Sequence, residues 1–237
     1  MRRDLQVQPL QVRSFDAARC TGGNCQRRAD YLDAAVSLLL DDLQEMVGNW
    51  QAQGAARQQL FGAGGDGALS AMLIGIGSLS YGELAGERMK LGLILHDPEE
   101  EHDCFSDNTH QAHYYDQLGI RNVYLGRYQR IDGSLLAGPS LAELVKAHDA
   151  ALDAQMRSRL DATLDALERI RQRAAAGEAY DQLIGPGNPQ GNALVQAAID
   201  GLIAQTRSTE HIVQALGLGR ISIAGSDSLD DPDAIFH

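Results

Sequence analysis

Apolar residues recur along most of the chain at steps of three and four, the spacing that places them on one face of a helix. The pattern predicts four long helices, over about residues 27–50, 68–95, 150–175 and 192–216. These lengths favour an all-α fold, an up-down helical bundle of about four long helices. The stripe of the first helix is predicted to be buried; it comprises Tyr31, Leu32, Ala35, Val36, Leu39, Leu43, Met46, Val47 and Trp50.

The pattern becomes irregular between the second and third helices, over residues 96–139. Asp97-Pro98 should end the second helix, because a residue before proline disfavours the helical conformation. A short helix is predicted over about residues 106–119. The Val-, Tyr- and Ile-rich segment 122–137 is predicted to form a β-hairpin that turns at Asp132-Gly133. This excursion is too long and too polar to be a mere connection, and such segments tend to carry function.

Three regions are therefore predicted along the chain. Residues 1–26 form an N-terminal extension, residues 27–219 form the helical bundle domain with the excursion inside it, and residues 220–237 form an extended acidic tail. Ser140 and Asp149 precede helical segments and are predicted to cap them.

The charge balance excludes one class of partner. Of the 237 residues, 32 are acidic and 20 are Lys or Arg, giving a formal net charge of −12. Nucleic acid is excluded because phosphate binding requires a basic surface. No membrane span is expected, since a spanning helix needs about 20 apolar residues. Residues 1–19 lack the apolar stretch of a signal peptide.

Two cysteines are close enough in sequence to interact. Cys20 and Cys25 bracket a Gly-rich turn that could let the sulfur atoms meet. A disulfide and two free thiols are both compatible with this spacing, and a disulfide would imply an oxidising compartment.

Acidic and imidazole side chains concentrate in the excursion. Residues 97–116 contain seven acidic residues and three histidines but no Lys or Arg. On a helix, Asp107 and His110 would share one face. Oxygen and imidazole ligands suit iron and other divalent metals, whereas a solvated acidic loop is the alternative interpretation. Glu83 and Glu87 lie four residues apart on the second helix, where a cation would relieve their repulsion.

Several segments of the chain are similar to one known family. They are residues 82–89 (GELAGERM), 99–110 (EEEHDCFSDNTH), 119–128 (GIRNVYLGRY), 20–25 (CTGGNC) and 225–229 (GSDSL). In this order they resemble the imelysin-like family, in particular its iron-regulated protein A type. The resemblance implies an all-helical fold of two bundle-like halves and a bacterial protein linked to iron uptake. Its implied location is the periplasm or the outer membrane.

The resemblance also bears on catalysis and on the site. The family is catalogued among metallopeptidases, but its hallmark GxHxxE motif is absent here, as is HExxH. The chain therefore resembles the C-terminal half alone, and a separately encoded N-terminal half is a predicted partner. The residues carried over include Arg88 and Ser106. The predicted metal ligands are Glu83, Glu87, Glu100, Glu101, Asp107 and His110, with iron or another divalent metal as the ion.

These observations lead to three functional hypotheses. The first is a non-catalytic protein of bacterial iron uptake that binds a metal ion or a metal complex. The second is an imelysin-type metallopeptidase, and the third is a protein-interaction module. A homodimer is also predicted, through a groove of small residues on the second helix that permits close backbone approach; the groove consists of Gly75, Ser78, Gly82 and Gly86.

Overall fold

The computed structural model describes Ala18, Cys20 and residues 22–236, and it confirms the all-α fold. The helices are α1 (Cys25–Trp50), α2 (Ala55–Gly62), α3 (Gly64–Leu95), α4 (Thr109–Leu125), α5 (Leu141–His148), α6 (Ala150–Ala175), α7 (Tyr180–Ile184), α8 (Pro189–Ala215) and α9 (Asp227–Asp230). Short 3₁₀ turns occupy Pro98–Glu100 and Pro232–Phe236, and a hairpin pairs β1 (Arg127–Gln129) with β2 (Leu135–Ala137).

The chain divides into two compact units, one ending at Gly62 and the other beginning at Ala63. In the first unit, the helix predicted over residues 27–50 is confirmed as α1, but the predicted burial of its stripe is wrong. Leu32, Val36, Leu39, Leu43, Met46 and Trp50 are each about half exposed, and Cys25 is the buried residue of α1. The structure joins Cys20 and Cys25 in a disulfide, the first of the two alternatives left open by their spacing.

The second unit is built around four helices that pack on one another. α6 runs along α8, α3 packs against α8, and α4 packs against α6. Leucine, isoleucine and methionine side chains from these helices fill two adjoining core clusters, one around Leu167 and Ile199 and the other around Met156 and Ile212. Burial of a large apolar side chain stabilises the fold by about 1.5–3 kcal/mol.

A polar network crosses this core. The side-chain amides of Gln117 on α4 and Gln205 on α8 exchange two hydrogen bonds of 2.9 and 2.8 Å. Gln205 also donates to the Ser80 hydroxyl of α3, which in turn donates to the Ile76 carbonyl. Because these buried groups are satisfied, the network can fix how α3, α4 and α8 align without leaving polar atoms unpaired.

The excursion is more regular than predicted. α4 extends to Leu125 instead of ending near residue 119, because His113, Gln117, Ile120 and Tyr124 recur at helical spacing on its buried face. The hairpin turning at Asp132-Gly133 is confirmed, but its first strand is only Arg127–Gln129. The predicted caps are confirmed too: Ser140 accepts a hydrogen bond from the Glu143 N–H, and Asp149 accepts from the first turn of α6.

The glycine groove on α3 is filled by the same chain. A Cβ placed on Gly82 would lie 2.7 Å from the Ala224 carbonyl oxygen, and one on Gly86 would collide with Ser226. The prediction that this groove is open for a second copy is therefore wrong, although dimerisation itself stays a prediction. The tail is also not wholly extended, since it contains α9 and a 3₁₀ turn.

Of the helices that the structure describes, α3 is long and apolar enough to cross a membrane by length and composition. The core helix of a soluble protein passes the same test. Leu73, Ile76, Leu84 and Met89 of α3 are buried in the core of the second unit.

Candidate functional site

The wide turns of α3 carry the first group of charged residues. Over Leu79–Lys90 the backbone follows π-helical hydrogen bonding, as in the bond from the Leu91 N–H to the Gly86 carbonyl. π-Helical turns are rare and are frequent at functional sites. Arg88 projects from this segment and bonds Glu83 on one side and Asp116 of α4 on the other, with N–O distances of 2.7 Å to each.

The ion pairs of Arg88 account for the predicted repulsion between Glu83 and Glu87. Arg88 offsets the charge of Glu83, so Glu83 needs no cation to relieve its repulsion with Glu87. Burial raises the pKa of Asp116, and Arg88 opposes that rise. Glu87 points elsewhere, and its carboxylate accepts a 2.6 Å hydrogen bond from the Ser226 hydroxyl.

A second polar group forms where the tail contacts α3, through Ser226 and Asp230. The Asp230 carboxylate accepts hydrogen bonds from the Ser226 N–H and from the Tyr81 hydroxyl, at 3.0 and 2.7 Å. Burial and the Asp230 carboxylate raise the pKa of Tyr81 to about 12. These contacts satisfy the polar groups of the tail, so this group is structural in character.

A third group lies inside the second unit and is not satisfied. His113 of α4 and Tyr180 of α7 are buried, with ring centroids 5.1 Å apart in an edge-to-face arrangement. Both ring nitrogens of His113, the Tyr180 hydroxyl and Oε2 of Glu101 are buried and have no hydrogen-bond partner among the described residues. Leaving one such atom unpaired costs about 1–3 kcal/mol. His113 and Tyr180 are in ring contact, and Glu101 lies close enough to Tyr180 for its charge to raise the Tyr180 pKa. The buried atoms without partners on these side chains make this group the candidate binding site.

The electrostatics of this group follow from its burial. Burial raises the pKa of Glu101 to about 7; the Thr109 hydroxyl opposes the rise, and the neighbouring carboxylates of Asp181, Asp107 and Asp103 add to it. Burial lowers the pKa of His113 to about 3, so its imidazole is neutral at physiological pH. Burial and the Glu101 charge raise the pKa of Tyr180. The site thus offers a neutral imidazole and a carboxyl group that titrates near neutrality.

A small open cavity of about 260 Å³ lies on the same face of α4, between it and α6. His110 lines the cavity together with Arg171 and Glu168, which form an ion pair of 2.7 Å. The Nδ1 atom of His110 is buried without a partner among the described residues. Burial lowers the pKa of His110, and the Asp107 carboxylate opposes this effect.

The structure distributes the six predicted ligands over several places. Glu83 and Glu87 are engaged by Arg88 and Ser226, and Glu100 is exposed in the Pro98–Glu100 turn. Asp107 lies near both Glu101 and His110, since its charge raises the pKa of the Glu101 carboxyl and opposes the lowering of the His110 pKa. In the part of the chain that the structure describes, no three His, Cys, Asp or Glu side chains are arranged to hold a metal ion.

Sequence reasoning missed His113 and Tyr180 as members of a site. His113 was one of three histidines counted in the excursion, but nothing in its spacing distinguished it from a core histidine. Tyr180 lies 67 residues further on in the sequence and only the packing of α7 brings it to His113. Tyr180 begins a helix of only five residues, which is too short for an apolar periodicity that would indicate this contact.

The fold is all-helical, and its second unit buries oxygen and nitrogen atoms that have no hydrogen-bond partner among the described residues. The family model for imelysin, which is a peptidase family, matches residues 8–209. The match covers most of the chain, so the protein belongs to the imelysin family and the resemblance seen in its sequence is confirmed. None of the curated proteins matches the chain.

Proposed function

We propose that this protein binds a metal ion, with iron as the preferred class, through Glu101, His113 and Tyr180. The observation that carries the proposal is the set of buried, unpartnered atoms on these three side chains. Carboxylate and imidazole ligands suit iron, and tyrosine oxygen is a known ligand of ferric iron in haem proteins. No catalytic step is assigned to the chain.

The donors fit a metal ion chemically. A cation lowers the pKa of the groups that bind it, so Tyr180 and Glu101 would lose their protons on binding. Neutral His113 already has the protonation state of a ligand. Asp107, Asp103 and Asp181 surround Glu101 with negative charge, which favours the approach of a cation. An ordered water bridging the same atoms is the competing occupant.

Membership in the imelysin family supports a wider role in bacterial iron uptake at the periplasm or outer membrane. The family's catalogued peptidase activity would require a metal with an open position and a general base. Neither HExxH nor GxHxxE occurs in this chain. Metal binding therefore has more support here than proteolysis.

Calorimetric titration with ferric nitrilotriacetate, anaerobic ferrous ion and zinc tests the proposal. Tyr180→Phe removes only the hydroxyl and Glu101→Gln is isosteric, so both variants should fold. We expect each to weaken ferric binding at least tenfold, and we expect a visible tyrosinate-to-iron absorption band that Tyr180→Phe abolishes. Tyr128→Phe, on the exposed strand β1, is the matched control and should leave binding unchanged. Equal isotherms for the native chain and both site variants would contradict the proposal.

The pH dependence of binding offers an independent test. Because a proton competes with the metal for Glu101, affinity should rise between pH 6 and pH 8, around its pKa of about 7. Glu101→Gln should flatten this rise.

A further inference from the structure

The cavity between α4 and α6 is bordered by polar side chains that the described part of the chain does not fully satisfy. Nδ1 of His110, Oε1 of Gln111 and Nε of Arg171 are each buried without a hydrogen-bond partner among the described residues. All three residues line the same cavity of about 260 Å³. The metal site proposed above uses other side chains and does not account for these atoms.

Two contacts hold the Arg171 side chain beside the cavity. Its Nη1 donates a 2.7 Å hydrogen bond to the Glu168 carboxylate, and its guanidinium lies over the Tyr114 ring, 4.2 Å from the ring centroid. Both contacts stabilise the position of the guanidinium without using its Nε–H. Because the donor is already positioned, a ligand that accepts from it would lose little free energy in ordering it.

The charges around the cavity select the class of ligand. The charged residues that line it are Arg171 and Glu168, which are opposite in sign and paired. Burial and the Arg171 charge lower the pKa of His110 while Asp107 opposes them, so the imidazole is neutral at pH 7. A carboxylate in the cavity would be repelled by Glu168 and Asp107, and a cation would be repelled by Arg171. An uncharged ligand meets neither penalty.

We propose that this cavity binds the amide group of an uncharged ligand. The carbonyl oxygen of an amide can accept from the Arg171 Nε–H, its N–H can donate to Oε1 of Gln111, and Nδ1 of neutral His110 can take either role. Ala174 and Ala175 provide an apolar wall for the carbon atoms of the ligand. The volume corresponds to about nine molecules of liquid water, so it accepts a ligand of about nine non-hydrogen atoms.

Titration of the metal-free protein, followed by the NMR signals of the His110 imidazole, tests the proposal. For a ligand of this size we expect a dissociation constant on the order of millimolar. Propionamide should shift the His110 signals and saturate. Three probes of the same shape should bind at least tenfold more weakly: anionic propionate, cationic propionamidinium, and 2-butanone, which has the carbonyl but no N–H.

An amide group can belong to a free small molecule or to a peptide backbone, and a fourth probe distinguishes these sources. N-acetylglycine N-methylamide presents two peptide groups. Tighter binding of this compound than of propionamide would assign the cavity to a peptide backbone, and the reverse order would assign it to small primary amides.

Two glutamine variants test which atoms bind the amide. Gln111→Met removes Oε1 at nearly constant shape and should weaken propionamide binding at least fivefold. Gln172→Met is the matched control, since Gln172 lines the same cavity but its amide already donates to Glu168; binding should be unchanged. Tyr180→Phe should also leave amide binding unchanged, so this proposal and the metal site can fail separately.

Three results would overturn the proposal. They are the absence of saturable shifts with both amide probes, equal binding of propionamide and its charged counterparts, and equal effects of the two glutamine variants. Absence of saturable shifts would mean that ordered water alone occupies the cavity. Far-ultraviolet circular dichroism of each variant checks that the helices are intact, and the comparison of probes on the native chain needs no variant.

Discussion

Replacement of Glu101 by Gln should stabilise the protein at alkaline pH and have little effect at acid pH. The Glu101 pKa is about 7 in the folded state, compared with 4.5 for the ordinary side chain. The folded chain therefore keeps a proton that the unfolded chain releases. Between these two pKa values, stability falls as pH rises, because ionisation is tolerated in the unfolded state and opposed by burial in the folded one.

The magnitude follows from the difference between the two pKa values. Each unit corresponds to 1.36 kcal/mol, so the free energy of unfolding should decrease by about 3 kcal/mol from below pH 4.5 to above pH 7 through this residue. Glutamine has nearly the same shape and cannot ionise. Relative to the native chain, Glu101→Gln should be near neutral at pH 4, more stable by up to about 1 kcal/mol at pH 5 and more stable by about 3 kcal/mol at pH 8.

His113 contributes a pH dependence of opposite sign. Its folded pKa of about 3 lies below the ordinary 6.5, so stability falls as pH drops below 6.5, where the unfolded chain takes up a proton. In the native chain this effect masks part of the Glu101 effect near pH 5. The difference between native protein and Glu101→Gln at each pH removes the His113 contribution, because both proteins contain it.

Urea unfolding followed by the near-ultraviolet circular dichroism of tyrosine is the appropriate assay. The single tryptophan, Trp50, lies on α1 in the other unit, so tryptophan fluorescence would report on the wrong part of the chain. Buried Tyr124 and Tyr180 both belong to the second unit. Exposed Glu100→Gln is the control and should match the native chain at every pH. Equal stability of Glu101→Gln and native protein at pH 8 would show that burial does not oppose ionisation of Glu101.

Two further substitutions test the packing of the second unit. Gly82→Ala should destabilise it by about 2 kcal/mol because the new Cβ meets the Ala224 carbonyl. Gly75→Ala, on the same helix in open space, should be neutral or stabilise by up to about 1 kcal/mol; thermal unfolding of both variants measures the contrast. Tyr124→Phe removes a buried 3.0 Å hydrogen bond to Asp153 and should cost about 1–2 kcal/mol in urea unfolding. Tyr128→Phe should be within 0.5 kcal/mol of native, and equal losses for the two tyrosines would contradict this account.

The sequence predicts the helices of this protein well because local patterns determine them. Ser140 and Asp149 cap helices where a short polar side chain before an apolar run indicates a cap. The same reasoning misjudged α1, since a stripe of apolar residues specifies a helix face but not the surface that covers it. Leu39 has the periodicity of a core residue and is nevertheless exposed.

The candidate site was only partly predictable, for a physical reason. Glu101 is predicted because residues 99–110 resemble the imelysin-like family and are rich in acidic residues, and both are local signals. Tyr180 reaches the site through tertiary packing, and neither its neighbours nor its spacing reports that. Which carboxylates are engaged by Arg88 or by Ser226 likewise depends on contacts between residues distant in sequence.

The tail that fills the glycine groove also has a consequence for synthesis of the protein. Glu87 and Ser226, which the hydrogen bond joins, are 139 residues apart in the sequence. At typical rates of translation the ribosome needs on the order of ten seconds to make that stretch. During this interval the backbone of α3 at Gly82 and Gly86 lacks the segment that later covers it. Nascent chains of this protein should therefore bind chaperones through α3 until the tail has left the ribosome.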